Sequence, residues 1–469
     1  MKGKDLLGRT TELARSFLDS LEERPVRPAA DLAELRASLV TPLPEHGEDP
    51  LTVVEELARR ADPGLVAMAG PRYFGFVIGG HLPAALAADW LTSTWDQNAG
   101  IYAAGPAASV VEEAVGAWLI DLFGLPRHTS FGLVTGGQTA NTTCLAAARH
   151  GVLQRTGWDV EERGLFGAPE IEVIIGAEAH ATIPTALQYL GLGRSRVTIV
   201  PTDDQGRVRA DALAAALPAS RDRPLIVCLQ AGNVNTGAFD PFAEAIAAIR
   251  RAQPEAWVHV DGAFGLWAAA VPPLRHLVRG MDQADSWSVD GHKWLNVPYD
   301  SGFALVARPE SHRAAMAPAS AAYIEYGAAE RDPFSWVPEF SRRARGFASY
   351  DALRSLGRSG LVEMIERACT IARSMADALA AEPGIEVLND VVLNQALVRF
   401  SPPDGGDDDA FTRSVIHRVQ EEGTCWMSGT TWHGMAAMRI SVSNWSTTEA
   451  DGRRSVEAIL RCARRIASA

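Results

Sequence analysis

The sequence lacks the long apolar runs, paired cysteines and surplus of basic charge that mark several protein classes. It contains no run of about 18 apolar residues and no apolar signal region at its N-terminus, so no membrane helix or secretory signal is expected. Five scattered cysteines without C-x-x-C spacing argue against a disulfide framework or a metal site. A net charge of −13 argues against nucleic acid or an anionic membrane as a partner. We therefore expect a cytoplasmic protein that acts on small molecules.

Lysine is also nearly absent. It occurs only as Lys2, Lys4 and Lys293, and the other basic side chains, histidine aside, are arginine. A guanidinium group stays protonated in proteins, whereas an amine can lose its proton and attack a carbonyl carbon. The single internal lysine therefore favours a covalent imine at Lys293, with chance retention of one lysine as the alternative.

A short apolar run at residues 258–264 contains Asp261 and the small Ala263. Pyridoxal 5'-phosphate (PLP), when held as a lysine imine, needs an acid beside its pyridine nitrogen, because the protonated ring is the electron sink. Asp261 at the end of a buried strand suits that role, and Ala263 leaves room for a flat ring. Taken alone, Asp261 could equally be a turn or helix-cap residue.

The segment at residues 132–141 places two glycines before a helix-forming run. Unpaired N–H groups and the helix dipole favour an anion at such a helix start. We expect a phosphate there, with the Gln138 backbone and the Thr139 hydroxyl as donors. The glycine spacing matches neither a Walker loop nor a dinucleotide fingerprint, and an ordinary turn is the alternative.

His180 follows an apolar strand at residues 171–175. A histidine at the turn between a strand and a helix can stack its ring on the face of a pyridine. The alternative is an ordinary residue at a helix start, so His180 gains weight mainly from the other three segments.

Together, the four segments at residues 136–139, 179–182, 259–263 and 290–294 carry a family resemblance. Their order resembles that of the group II PLP-dependent amino-acid decarboxylases, the superfamily of the aromatic L-amino-acid and glutamate decarboxylases. The resemblance extends from about Pro71 to Ser443. It implies an α/β enzyme of fold type I that works as an obligate homodimer, with active sites at the subunit interface.

The resemblance also implies a role for each matching residue. Lys293 is the imine lysine, Asp261 the pyridinium partner and His180 the residue stacked on the ring. Further residues implied to bind the cofactor are Gly137, Gln138, Thr139, Asn233, Ala263, Asp290 and His292. Among these, Ala263 packs on the opposite ring face, and Gln138, Thr139 and His292 hold the phosphate. Asn233 lies in a segment that departs from the family's usual Gly-Thr-Thr, so its contacts are expected to differ.

The proton donor departs from the family pattern. In the aromatic decarboxylases, a loop tyrosine before a tryptophan and an arginine pair is thought to protonate the carbanion left by CO₂. Aligning Trp336 with that pattern puts Pro333 at the tyrosine position. We expect Tyr323 or Tyr326, on the same loop, to act as the catalytic proton donor instead.

Two aromatic stretches, at residues 71–78 and 95–102, correspond to parts of the family's substrate pocket. They supply Phe76, Asn98 and Tyr102 as expected substrate-binding residues, although aromatics at this density can equally form core. The aromatic decarboxylases usually carry bulkier apolar groups here. A substrate other than a catechol or an indole is therefore possible.

The remaining pattern predicts a mostly parallel sheet of the seven-stranded type, sandwiched by helices. Short apolar strands alternate with helical segments, which is typical of a sheet buried on both faces, and ligands collect at the carboxyl ends of such strands. The expected strands are residues 172–175, 196–200, 224–229, 256–260, 286–289 and 302–306. Residues 309–341 carry few regular signals and are expected to form a loop or lid.

Three parts of the chain are expected. Residues 1–78 form an N-terminal helical segment, which in the resembling family wraps the partner subunit. Residues 79–345 form the large PLP-binding domain, and residues 346–469 form a small C-terminal α+β domain.

The function expected from this set is PLP-dependent decarboxylation of an L-amino acid to the amine through a Lys293 imine, the reaction of a carboxy-lyase in amino-acid metabolism. Three alternatives remain open. Decarboxylation coupled to reaction with O₂ gives an aldehyde, and aldol cleavage, elimination or transamination uses the same cofactor residues. The third alternative is a catalytically silent PLP-binding scaffold. The sequence does not name the amino acid.

Overall fold

The computed structural model describes residues 3–220, 223–318 and 331–468. Its helices are α1 (Gly3–Ser20), α2 (Leu32–Leu39), α3 (Pro50–Ala61), α4 (Pro83–Trp95), α5 (Pro106–Leu122), α6 (Gly137–Gln154), α7 (Val160–Arg163), α8 (Thr182–Tyr189), α9 (Ala210–Ala216), α10 (Phe242–Ala252), α11 (Pro309–Met316), α12 (Gly346–Ala380), α13 (Asp408–Glu422) and α14 (Glu449–Ala467). Short 3₁₀ helices cover Asp62–Gly64, Tyr102–Ala104, Gly265–Ala270, Pro272–Val278, Met281–Gln283 and Pro333–Trp336. Helix α12 is broken at Gly357, where φ is +60°.

The strands form two sheets. They are β1 (Ser130–Val134), β2 (Glu172–Gly176), β3 (Thr198–Val200), β4 (Leu225–Gln230), β5 (Trp257–Asp261), β6 (Ser286–Asp290), β7 (Gly302–Val306), β8 (Ile385–Val387), β9 (Gln395–Phe400), β10 (Ser428–Trp432) and β11 (Met435–Ser441). The seven-stranded sheet has the order β1-β7-β6-β5-β4-β2-β3, and the four-stranded sheet has the order β10-β11-β9-β8.

The chain divides into two compact units. The larger unit contains Gly79–Ala372 and Asn389–Ala396. The smaller unit contains the chain up to Ile78, Arg373–Leu388 and the chain from Leu397 onward. No helix in the described residues is both long and apolar enough to cross a membrane.

The larger unit is built on the seven-stranded sheet. Strand β7 runs antiparallel to its neighbours β1 and β6, and the other neighbouring strands are parallel. Every residue of β5, β6 and β7 is buried, which is the burial expected for a sheet covered on both faces. Helix α6 packs across the strands from β4 to β7. Its alanine-rich sequence lets the helix lie close to the sheet.

The smaller unit combines the N-terminal helices with the four-stranded sheet, α13 and α14. Local sequence signals determine where its helices begin. The Asp49 side chain accepts the Thr52 N–H, and Pro50 occupies the first helical position of α3. A capping box formed by Thr448 and Asp451 begins α14 in the same way.

The predicted fold class is confirmed, with three differences in detail. Strand β1 is not among the predicted strands, because its residues from Gly132 onward are part of the glycine-rich segment at residues 132–141. The antiparallel direction of β7 was not predicted either, since periodicity gives a strand's faces but not its direction. Within the predicted loop at residues 309–341, α11 and the 3₁₀ helix at Pro333–Trp336 are regular structure.

Candidate active site

Four of the sequence segments meet at the carboxyl ends of the central strands. They enclose a cavity of about 300 Å³. Its lining residues are Thr135, Gly136, Gly137, Gln138, Thr139, Asn141, His180, Thr182, Ala263, Asp290, His292 and Lys293. Parallel strands bring their carboxyl ends to one sheet edge, which explains why segments more than 100 residues apart in sequence share one cavity.

Lys293 follows β6, and its amine is held by the buried carboxylate of Asp290. Lys293 Nζ lies 3.0 Å from Asp290 Oδ2, and the Asp290 side chain is 2% exposed. The other oxygen, Asp290 Oδ1, accepts the Gly137 N–H at 2.5 Å. Asp290 thus ties the lysine loop to the start of α6, while the lysine side chain reaches into the cavity.

His292 lies between the same carboxylate and the cavity. The Ser301 N–H donates to His292 Nδ1 at 3.2 Å, so the ring proton belongs on Nε2, which lies 3.3 Å from Asp290 Oδ1. Burial lowers the pKa of His292, although the Asp290 charge opposes that shift. The ring of Tyr299 stacks on His292 with 4.4 Å between centroids. His292 is therefore a neutral donor at neutral pH.

The start of α6 forms the cradle that the glycine pattern predicts. The N–H groups of Gln138 and Thr139 have no acceptor in the described part of the chain, and the Thr139 hydroxyl bonds the Thr135 hydroxyl at 2.7 Å. A Cβ on Gly136 would lie 2.7 Å from His292 Cε1, and one on Gly137 would lie 2.8 Å from Asp290 Oδ2. Only glycine allows the backbone and these side chains to approach so closely.

Asp261 lies directly behind the cavity at the end of β5 and is 4% exposed. Its Oδ2 accepts the Asn141 amide at 3.2 Å and the Thr182 hydroxyl at 3.4 Å. Its Oδ1 accepts the Ala263 N–H at 3.2 Å and lies 3.4 Å from the hydroxyl of Ser288. The carboxylate is thus held from several sides, and three of the groups that hold it, Asn141, Thr182 and Ala263, also line the cavity.

His180 is held in place by hydrogen bonds on its ring and its backbone. Its Nδ1 lies 2.9 Å from the Thr182 hydroxyl, and its N–H donates to the Gln230 side chain at 3.3 Å. His180 is one of the residues that line the cavity.

Asn233 belongs to the turn after β4 and is not among the residues around this cavity in the described chain. Its side-chain oxygen accepts the N–H groups of Asn235 and Thr236, and its amide donates to the Glu178 carbonyl. These hydrogen bonds stabilise the turn that follows β4.

The expected substrate-binding residues are not among the described residues that line this cavity. Asn98 accepts the Gly100 N–H at 2.9 Å and pairs with Arg343 in an isolated bridge. The Tyr102 N–H donates to Asp332 at 2.8 Å. Phe76 belongs to the smaller unit, is 56% exposed and lies 5.4 Å from the ring of Trp426.

The expected proton donors Tyr323 and Tyr326 lie outside the described residues. The position that the family alignment gives to the loop tyrosine is Pro333, which is buried in a 3₁₀ helix. The next residue, Phe334, donates its N–H to the Gly100 carbonyl and stacks on Phe340 at 4.8 Å. No hydroxyl side chain stands at either position.

The residues around the cavity fit PLP. The helix start and His292 supply donors for a phosphate, the buried Asp261 supplies an acid for a ring nitrogen, and Lys293 supplies an amine. The close glycine contacts leave the helix N–H groups open to the cavity, as an anion site requires. The donor set and its arrangement therefore match the three chemical parts of this cofactor.

Sequence reasoning missed Asn141, Thr182 and Tyr299 as site residues. A signal existed for Asn141, which lies one helical turn after Gly137 and so on the same face of α6. For Thr182 the signal was its position two residues after His180, at the start of α8. Tyr299 had no local signal, because its stacking on His292 depends on how the chain turns after Lys293.

Comparison with known proteins gives a family and a fold. A family model described as the pyridoxal-dependent decarboxylase conserved domain matches residues 33–401. A 4-hydroxyphenylacetaldehyde synthase of Rhodiola rosea is 27% identical over 451 residues, covering 92% of this chain and 89% of that protein. An aromatic-L-amino-acid decarboxylase of Bacillus atrophaeus is 25% identical over 448 residues, covering 93% of this chain and 91% of that protein.

The fold agrees with solved structures. A crystal structure of Oryza sativa TDC with PLP and tryptamine superimposes with a TM-score of 0.90 at 23% identity. The match covers 99% of this chain and 98% of that chain. The architecture is thus shared over essentially the full length.

Proposed function

The chain belongs to the pyridoxal-dependent decarboxylase family, a family of PLP-dependent carboxy-lyases, and on that premise we propose that it removes CO₂ from an L-amino acid to give the amine. The observation that carries the proposal is the single internal lysine, whose side chain lines a cavity that also offers phosphate donors. Asp261 accepts hydrogen bonds from Asn141, Thr182 and Ala263 in the wall of that cavity. We propose Lys293 as the covalent anchor of the cofactor and Asp261 as the partner of its ring nitrogen.

The bound cofactor supplies an electron sink that weakens whichever bond to the α-carbon lies perpendicular to its ring. Asp261 would keep the ring nitrogen charged. Gln138, Thr139 and His292 would hold the phosphate and so fix the ring's position along the sheet edge. His180 and Ala263 would confine the two ring faces.

Asp290 holds the amine of Lys293 at the wall of the cavity. The lysine amine can attack a carbonyl carbon only after Nζ has lost a proton, and Asp290 Oδ2 is the carboxylate oxygen 3.0 Å away. Whenever Lys293 is not bound to the cofactor, the same oxygen would hold its ammonium group. The short distance and the burial of Asp290 support a role in binding the ammonium form of Lys293, because a buried carboxylate attracts a nearby cation strongly.

A second candidate, release of an aldehyde, is favoured by the replacement of the loop tyrosine with Pro333. A bound cofactor would supply electrons that O₂ can take up, and Pro333 offers no hydroxyl group to return a proton first. The balanced outcome is that one amino acid, one O₂ and one water give CO₂, the aldehyde, ammonia and hydrogen peroxide. The similarity to an aldehyde synthase over 92% of this chain also supports keeping this candidate.

We also propose that the protein works as a homodimer, with its N-terminal segment against a second copy. That segment exposes several large apolar side chains in the single chain. They are Leu7, Leu32, Val40, Leu43, Val53 and Leu57, which range from 47% to 94% exposed. Apolar surface concentrated in this way marks a protein interface.

The test is product analysis of the PLP-loaded protein in air with single L-amino acids from a complete set. We expect an amine lighter than its parent by one CO₂, formed without peroxide. An aldehyde with stoichiometric peroxide would establish the second candidate instead. A keto acid or a fragment from side-chain cleavage would contradict both, and the Lys293→Ala variant provides the blank.

A further inference from the structure

Behind Asp261 lies a chain of buried polar side chains that the proposed chemistry does not use. The indole N–H of Trp257 donates to the Ser286 hydroxyl at 2.8 Å. Ser286 Oγ lies 2.9 Å from His259 Nδ1, and His259 Nε2 lies 2.9 Å from Asn141 Oδ1. The Asn141 amide then donates to Asp261. All four of these side chains are at most 1% exposed.

The geometry of two strands builds this chain. Trp257, His259 and Asp261 alternate along β5 and therefore point to the same face of the sheet. His259 lies opposite Ser286 on the neighbouring β6. Helix α6 covers this face and inserts Asn141 between His259 and Asp261.

The direction of the hydrogen bonds follows from the donor groups. An indole can only donate, so Ser286 accepts from Trp257 and has its own hydrogen available for His259 Nδ1. Burial lowers the pKa of His259 to about 4, which leaves the ring neutral near pH 7. With Nδ1 accepting, the ring hydrogen lies on Nε2 and is donated to the Asn141 carbonyl oxygen.

This hydrogen bond fixes which end of the Asn141 amide faces Asp261. The Ser288 hydroxyl donates to the same carbonyl oxygen at 2.6 Å, so the oxygen has two donors and the NH₂ group is turned toward Asp261 and Thr182. If the amide flipped, its oxygen would lie beside the carboxylate at about the 3.2 Å that now separates Nδ2 from Oδ2. Two acceptors at that distance repel each other, and one donor to Asp261 would be lost.

We propose that His259 is a positioning residue for Asp261: by donating to Asn141, it locks the amide that holds the Asp261 carboxylate in the direction of the cofactor's ring nitrogen. The inference rests on the proposed function, in which Asp261 is the partner of that nitrogen. His259 itself touches neither the cavity nor the reacting atoms.

The test compares three variants of the PLP-loaded protein. His259→Phe keeps a ring but removes the donor to Asn141, whereas His259→Gln can place an amide N–H where Nε2 was. His312→Phe is the matched control, because His312 is also fully buried and is bonded to Ser130 and to the Trp336 carbonyl away from the cavity.

Two measurements distinguish a positioning role of His259 from a general loss of folded structure. The ¹⁵N NMR shift of ¹⁵N-labelled PLP reports the protonation of the ring nitrogen, and steady-state kinetics report kcat. For His259→Phe we expect the nitrogen signal to move toward the unprotonated position and kcat to fall roughly 10- to 100-fold, the loss typical of a hydrogen bond to a charged group. His259→Gln should recover kcat to within about threefold of the parent. His312→Phe should leave the nitrogen signal unchanged.

An unchanged nitrogen signal in His259→Phe, or an equal shift in His312→Phe, would overturn the inference. If the variants do not fold, the ¹⁵N signals of His259 in the cofactor-free parent decide, since a proton on Nδ1 at pH 7 contradicts the assigned direction. Asp261→Ala distinguishes the two proposals. If that variant leaves the nitrogen signal unchanged, the proposed role of Asp261 fails; if only His259→Phe leaves it unchanged, this inference fails alone.

Discussion

At the scale of single residues, Asp261 is the group on which the proposed electron sink depends. It is buried. Its Oδ2 accepts from the Asn141 amide and the Thr182 hydroxyl, and its Oδ1 accepts the Ala263 backbone N–H. Removing Asp261 leaves these donors without an acceptor and removes the negative charge behind the ring nitrogen. We expect Asp261→Ala to lower kcat at least 100-fold by the loss of a charged hydrogen-bond partner, with the cofactor still bound through Lys293. A rate within a factor of about three of the parent would remove Asp261 from the mechanism.

The two fully buried histidines predict a stability that depends on pH. Burial lowers the pKa of His259 to about 4 and that of His312 to about 3, from an unfolded value near 6.5. Between these values the unfolded chain binds more protons than the folded chain, so stability falls as pH falls below about 6.5. Each histidine contributes up to about 1.4 kcal/mol per pH unit in that range.

Urea unfolding at several pH values between 4.5 and 7 measures this effect. We expect His312→Gln to make the free energy of unfolding depend less steeply on pH, by up to about 1.4 kcal/mol per pH unit, because glutamine does not titrate. The exposed His417 offers a control, and His417→Gln should leave the slope unchanged. A parent protein whose stability is flat across this range would contradict the burial argument.

At the scale of elements, the start of α6 is the part of the site with the least space. The Gly137 N–H bonds Asp290, and a Cβ at this position would lie 2.8 Å from the Asp290 carboxylate. We expect Gly137→Ala to weaken PLP binding roughly 10-fold, because overpacking at a close contact displaces the carboxylate and with it Lys293. Gly360→Ala is the matched control, since its Cβ meets only Leu356 at an ordinary 3.5 Å.

A fluorescence titration of the cofactor-free protein with PLP measures the affinity of each variant. Equal affinities for Gly137→Ala and Gly360→Ala would show that the helix start does not constrain the cofactor.

The elements also show how far the sequence predicts the fold. Strands β2 and β4 to β7 could be predicted because each is a short apolar run between turn residues. Strand β1 could not, because Gly132 interrupts its apolar run and the glycine-rich turn follows at once. Gly132 is needed there, since a Cβ would lie 2.4 Å from the Trp336 carbonyl oxygen, a contact that only the folded chain creates.

At the scale of the whole molecule, the sequence predicts that the strand-end segments converge better than it predicts which other residues line the cavity. Lys293, Asp290 and His180 could be predicted to meet because strand ends of a parallel sheet converge. Asn98 and Tyr102 do not line this cavity in the described residues, and no local sequence pattern encodes the folded contacts that decide which residues do.

The N-terminal segment provides a test of the proposed dimer. Val40 is 76% exposed and Leu43 is 94% exposed in the single chain. If a second copy covers them, replacing both with aspartate buries two charges at the interface, which is strongly unfavourable. We expect the double variant Val40→Asp, Leu43→Asp to sediment as a monomer at micromolar concentration and to lose activity.

Phe166→Asp is the control for that experiment, because Phe166 is 98% exposed but belongs to the larger unit. This variant should remain a dimer with the activity of the parent. A double variant that stays dimeric would show that the N-terminal segment does not form the interface.

Every other proposed role in this cavity depends on covalent attachment of PLP at Lys293. Borohydride reduction of the PLP-loaded protein, followed by peptide mass mapping, tests it most directly. The chain has only three lysines, so Lys2 and Lys4 are internal controls. We expect one reduced cofactor per chain, attached to the peptide that contains Lys293 and absent from Lys293→Ala. Attachment at another residue, or a parent protein that binds no cofactor covalently, would contradict the account.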